Sequence, residues 1–167
     1  MVKDVIKREL VQGDDDISVL FKEFDESPLG SASIAQVHRA RLHDGRLVAV
    51  KVQRPGIEGK LLGDIANLKN FFYVVSKYLP IDYYKVICEL ERTINYELDF
   101  LSEAQSTIKV ASAVAHSPDN KPRIPPVIVP LPITGLVTRK VMVMEYIDGV
   151  ALSKVAKEMA ARGTAQH

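Results

Sequence analysis

The residue pattern predicts an α+β domain in which a small antiparallel sheet is flanked by long helices. Three observations carry this. Residues 34–42 alternate in polarity, turn at His43-Asp44-Gly45-Arg46 and return over residues 47–53, the pattern of a hairpin. Residues 57–79 and 83–115 are two long helical patterns, the first stopped by Pro80 and the second free of Gly and Pro. Residues 139–147 form a further apolar, β-branched run closed by Asp148-Gly149. Helices, hairpin, helices, strand and helix in that order give an α+β class.

Composition narrows the function. The 167 residues suit one ordinary domain or part of a larger one. With 47% hydrophobic and 26% charged residues, the chain can offset the entropy of ordering, so wholesale disorder is excluded. Its 22 basic and 21 acidic residues leave a net charge of +1, which argues against a dedicated nucleic-acid binder. Cys88 has no second cysteine to pair with, which excludes a disulfide scaffold and fits a reducing compartment. No run reaches the ~18 apolar residues of a membrane span. The most apolar stretch, residues 124–137, contains Pro125, Pro126, Pro130 and Pro132. Residues 1–10 are charged and lack the apolar core of a signal peptide, so either the protein stays where it is made or the true N-terminus lies upstream.

The remaining elements follow in order. Val5, Leu10 and Val11 place a helix over residues 2–12, broken by Gly13. Asp14, Asp15 and Asp16 supply a capped, dipole-favoured start for a second short helix carrying Ile17, Leu20, Phe21 and Phe24. Pro28, Gly30, Ser31 and Ser33 mark a loop, Gly45 supplies the positive φ of the hairpin turn, and Pro55-Gly56 ends the return strand. Residues 117–132 are loop-rich, with a candidate short strand at 127–129, and residues 151–161 read as an amphipathic helix. There are no internal repeats.

Chemistry concentrates on the hairpin. In Leu47-Val48-Ala49-Val50-Lys51-Val52, strand parity puts Ala49 and Lys51 on one face and the valines on the other. A lysine in an apolar strand needs an anion if buried. Alone, the strand favours a lysine snorkelling from an edge to water. Its neighbours reverse this. Val48-Ala49-Val50-Lys51 matches the strand whose lysine, in protein kinases, holds ATP phosphates and pairs with a helix carboxylate. Ala49 leaves room for adenine, and Val37 can roof it. The loop at Gly30, Ser31, Ala32 and Ser33 stands where a phosphate loop belongs, with its N–H groups and serine hydroxyls as donors. Glu97, Asp99 and Glu103 form the acidic cluster of the later helix, where Asp99 and Glu103, four apart, share a face. For a generic helix such a cluster is a solvated face. Residues Met144, Glu145 and Tyr146 lead a strand into a hinge whose backbone can bond adenine; the plain alternative is a core strand ending in a turn.

Together these segments resemble the UbiB/ADCK family of atypical, protein-kinase-like proteins. The resemblance rests on Pro28-Leu29-Gly30-Ser31-Ala32-Ser33-Ile34-Ala35-Gln36-Val37-His38 and Val48-Ala49-Val50-Lys51-Val52-Gln53-Arg54-Pro55-Gly56. Glu97-Leu98-Asp99-Phe100-Leu101-Ser102-Glu103-Ala104 and Met144-Glu145-Tyr146-Ile147-Asp148-Gly149 complete it. It implies a protein-kinase-like N-lobe, a small antiparallel sheet with family-specific long helices, over residues 1–149. Within it lie leading helices (1–27), loop and hairpin (28–56), long helices (57–115), and strands with hinge (124–149). Residues 150–167 would then be the truncated start of a C-lobe, whose remainder is missing.

The resemblance also implies roles. Gly30 to Ser33 would correspond to the family's alanine-rich loop, Lys51 to the phosphate-binding lysine, Glu103 to its helix partner, and Glu97 and Asp99 to the E-x-D motif. The implied cofactor is ATP with Mg. The implied setting is isoprenoid-quinone synthesis or lipid homeostasis, in plastids, mitochondria or at the bacterial cytoplasm and inner membrane face, with peripheral membrane association admitted. The chain departs from the family by lacking the catalytic-loop Asp, the metal-binding D-F-G-type Asp and the K-x-G-Q motif. No catalytic residue and no metal site is therefore assigned; His38, His43, His116 and His167 lack ligand spacing. The expectation is an ATP-binding portion, inactive by itself, with nucleotide and a C-lobe or partner protein as its partners. The rival is a non-catalytic kinase-like scaffold.

Overall fold

The computed structural model describes residues 2–11, 15–115, 127–150, 152 and 155. The break at Gly13, Asp14 and the helix expected over residues 151–161 fall wholly or mostly outside these.

The elements run α1 (Val2–Leu10), β1 (Phe21–Ser31), β2 (Ala35–Leu42), β3 (Leu47–Gln53), α2 (Ile57–Val75), α3 (Tyr83–Glu97), α4 (Phe100–Ala115), β4 (Pro132–Val137) and β5 (Val141–Glu145). The strands form one antiparallel sheet in the order β1-β2-β3-β5-β4. The α+β class stands. The hairpin closes at Gly45, whose φ of 90° suits a residue without Cβ, and its register sets Val37 opposite Lys51 and Arg39 opposite Ala49.

On one face of the sheet, Val48, Val50 and Val52 of β3 pack with Val141 and Val143 of β5, Ala40 and Leu42 of β2, and Ile6 of α1. Burial of these apolar groups is the main source of stability. The opposite face carries a smaller cluster, Ala35, Phe100, Ala104 and Met142, where α4 docks.

Several expectations are corrected. The helix expected from Asp14 onward is a single 3-10 turn, Ile17–Val19, followed by β1. Phe21 lies opposite Leu42 and Phe24 opposite Ala40, so pairing with the free edge of β2 outweighs the acidic cap signal. Pro28, Gly30 and Ser31 belong to β1, not to a loop. The strand is at the sheet edge and its register shifts around Pro28, the setting in which a strand tolerates proline. The connecting turn is confined to residues 32–34.

The helix expected over residues 83–115 is two. Leu98 and Phe100, both with no exposure, lie two residues apart and would point to opposite sides of a continuous helix; the break at Asp99 turns both inward. No strand forms at 127–129. Instead β4 covers residues that the loop-rich reading left unassigned, with its ladder interrupted between Pro132 and Val137, where Gly135 takes φ 82°. The strand expected over 139–147 is the shorter β5, because Arg139 and Lys140 form the turn before it.

Helices α2 and α3 form a hairpin closed by a Lys69–Glu91 ion pair at 2.7 Å and by stacking of Phe72 on Tyr83. Its start is fastened to the turn before β5 by Glu58, which accepts from Arg139 at 3.0 Å and Lys140 at 3.1 Å.

Candidate nucleotide site

The site grows from the polar parity of β3. Lys51 emerges on the α4 side of the sheet, and its Nζ donates to both carboxylate oxygens of Glu103, at 2.7 and 2.6 Å. The same ammonium lies 4.7 Å from the centroid of the Phe100 ring, a cation–π contact. With 22% of the lysine and 41% of the glutamate side chain exposed, solvent screens the pair, and its meaning is positional more than stabilising.

Placement of Glu103 depends on the break before α4. Asp99 caps that helix: its Oδ1 accepts from Leu101 N at 3.0 Å and its Oδ2 from Ser102 Oγ at 2.9 Å. Asp99 and Glu103 therefore do not act as a pair on one helix face; the first orients the helix that carries the second. Glu97 ends α3 and lines the cleft with Lys51, Glu103, Tyr96, Ser106 and Thr107, a space of about 430 Å³.

Sequence reasoning missed Gln53. It is the next residue of β3 on the Lys51 face, 3% exposed, and its Nε2 donates to the carbonyls of Leu98 and Arg139, the latter at 3.2 Å. This amide ties the α3–α4 break and the turn before β5 to the strand that bears Lys51. Its signal was a glutamine ending an apolar strand at lysine parity, too common a pattern to read alone.

The turn at Gly30 to Ser33 does not present all its expected donors to Lys51. Gly30 lies opposite Val37, which lies opposite Lys51, but Ser31 lies opposite Gln36 and so belongs to the other face. Its Oγ accepts from Arg54 Nη2 at 2.7 Å and from Gln36 Nε2 at 3.5 Å. Ala32 and Ser33 are exposed at the tip.

At the expected hinge, Met144 pairs with Ala49. The N–H groups of Glu145 and Tyr146 are taken by the carbonyls of Leu131, at 2.9 Å, and Leu47, at 3.3 Å. Beyond them, the Ile147 N–H has no partner among the described residues. Arg39 stacks over the Tyr146 ring at 5.6 Å, placing a cation beside the hinge.

A family model, the ABC1 atypical kinase-like domain, matches residues 1–167. The chain belongs to this family. Among curated ABC1 relatives, it is 40% identical over 149 residues to an AarF domain-containing protein kinase 1 of Xenopus laevis, covering 89% of this chain and 27% of that protein. It is 35% identical over 150 residues to the Arabidopsis thaliana chloroplastic protein named Activity of BC1 complex kinase 7, covering 88% and 20%. A Mycobacterium tuberculosis protein solved as an erythromycin complex superposes with a TM-score of 0.74 at 30% identity, covering 93% of this chain and 37% of that one. The chain thus spans about a quarter of the length of the curated relatives it matches. The UbiB/ADCK resemblance is one of membership, and the fold is that of a kinase-like N-lobe in which α2 and α3 separate the lysine strand from the glutamate helix. Among the described residues, no helix is long and apolar enough to cross a membrane.

Proposed function

We propose that this chain is the nucleotide-facing lobe of an ABC1-type atypical kinase or ATPase, with Lys51 receiving the phosphates of ATP. The observation that carries this reading is the Lys51–Glu103 pair at the wall of an open cleft. An ammonium has three donors; Glu103 engages two, which leaves one for a phosphate. Adenine would lie against Val37, Ala49 and Met144, and the Ile147 N–H offers it a donor past the expected hinge. The link to isoprenoid-quinone synthesis or lipid homeostasis, in a reducing compartment of plastid, mitochondrion or bacterium, rests on the family resemblance.

ATP would bring Mg²⁺. Both Glu103 oxygens accept from Lys51 and both Asp99 oxygens cap α4. No group of three His, Cys, Asp or Glu comes together among the described residues. These residues do not fit the ion, and no phosphoryl-transfer step is assigned to them.

The test is calorimetric titration of ADP and ATP into the full-length protein and its Lys51→Ala variant. The expected result is a loss of about tenfold or more in affinity, the effect of removing one charged hydrogen-bond donor. Unchanged affinity sinks the reading. A non-catalytic scaffold is the second reading, favoured by the exposed Phe71, Tyr73, Val74 and Tyr78 along the α2–α3 hairpin. It predicts a stable oligomer and no nucleotide-dependent thermal shift.

A further inference from the structure

The turn between β1 and β2 holds an unusual distribution of hydrogen bonds. Ala32 N donates to Ala35 O at 2.9 Å, closing the turn on itself. Its carbonyls are drawn toward the residue after β3: Ala32 O accepts from Arg54 Nε at 2.9 Å, and Ile34 O accepts from Arg54 N at 2.8 Å. Arg54 Nη2 adds the bond to Ser31 Oγ at 2.7 Å. One residue therefore holds the turn at three points, Ser31, Ala32 and Ile34, two through its guanidinium and one through its backbone. Among the described residues, the N–H groups of Ser33 and Ile34 and the hydroxyl of Ser33 have no partner.

This sorts the polarity of the turn. Carbonyl oxygens repel a phosphate and backbone N–H groups attract one, so a turn accepts an anion when its carbonyls are engaged and its N–H groups left open. Arg54 engages the carbonyls of Ala32 and Ile34 and adds a fixed positive charge beneath them. A planar guanidinium can span Ser31 and Ala32 at once, which the single point donor of a lysine cannot. A protein-kinase phosphate loop relies on glycine for close approach; here Gly30 is not in the left-handed region, and the side chain after the lysine strand sets the geometry instead.

We infer that Arg54 is a positioning residue for the nucleotide phosphates, holding the 31–34 turn with its N–H groups outward. This rests on the nucleotide reading of the Lys51 cleft. Arg54 acts through the turn and touches neither base nor ribose, so its loss falls on phosphate recognition and spares the nucleoside.

The experiment compares ADP and adenosine by calorimetry on the full-length protein and on Arg54→Ala, Arg54→Lys and Ser31→Ala. Arg54→Ala should weaken ADP by about tenfold, the scale of one lost charge-assisted hydrogen bond, with adenosine unchanged. Arg54→Lys should recover part of the loss, and Ser31→Ala should cost about two- to threefold for ADP alone, a neutral bond's worth. Equal weakening of ADP and adenosine makes Arg54 a support of the fold and overturns the inference, as does unchanged ADP affinity in Arg54→Ala. If Arg54→Ala does not fold, the ADP-to-adenosine ratio in Arg54→Lys and Ser31→Ala decides: no shift overturns it. Lys51→Ala separates the two levels. ADP affinity insensitive to Lys51 removes the nucleotide reading and this inference with it; affinity sensitive to Lys51 but not to Arg54 removes the inference alone.

Discussion

The two faces of β3 are built to opposite rules. On one, Val48, Val50 and Val52 have no exposure and pack in an apolar cluster with residues of β2, β5 and α1, with the buried His38 opposite Val50 as a polar neighbour. On the other, Ala49 presents only a methyl group, Lys51 meets a carboxylate and a ring, and Gln53 bonds two carbonyls from separate parts of the chain. The valine face asks only for volume, since dispersion and burial are non-directional. The lysine face asks for particular atoms in particular places, since its polar groups need partners. A period of two residues lets one strand serve both, with the closed face anchoring the backbone from which the open face projects.

The largest expected effect tests where the two rules meet. Phe100→Ala should destabilise by about 3–5 kcal/mol in urea unfolding, the cost of emptying a buried aromatic site. It should also weaken nucleotide binding, because the ring beneath Lys51 is gone. Val50→Ala should cost about 2 kcal/mol by loss of buried methyl groups and leave nucleotide affinity unchanged wherever the variant is folded. A Val50→Ala protein that is folded but binds nucleotide poorly would break the separation of the faces.

The smallest effect sharpens the closed face through pH. Lys3 of α1 pairs with Glu26 of β1, and the hydrogen bond and charge of that ammonium hold the carboxyl below its usual range. A depressed carboxylate contributes stability above its ordinary pKa and loses it as pH falls through the lower folded value. Glu26→Gln should therefore lower the urea midpoint slightly at neutral pH, with the difference from the parent closing below about pH 4. Both groups are solvent-exposed, so a difference that persists into acid would assign the effect to packing and not to charge.

What was legible in the chain was local. Gly45 announced its turn, alternation announced β2 and β3, and parity separated Lys51 from the valines before any partner was known. What was not legible was cooperative. β1 reads as a capped helix until β2 offers it an edge, and β4 hides among prolines until β5 pairs with it. The break at Asp99 leaves no Gly or Pro signal, since its cause is the joint burial of Leu98 and Phe100. Arg54 looked like one residue of a familiar motif, and its hold on the turn exists only when β1, β2 and the end of β3 are brought together.

By itself, then, the sequence determined the class, the hairpin, the face on which Lys51 lies and the family. The first three rest on spacing along one chain segment, and the family rests on the resemblance of four segments. The tertiary structure alone decided which side Ser31 faces, which hinge N–H groups are already spent, and that Asp99 orients the helix while Glu103 meets the lysine. Each of these is a choice of hydrogen-bond partner between segments far apart in the chain, and only the folded geometry makes it.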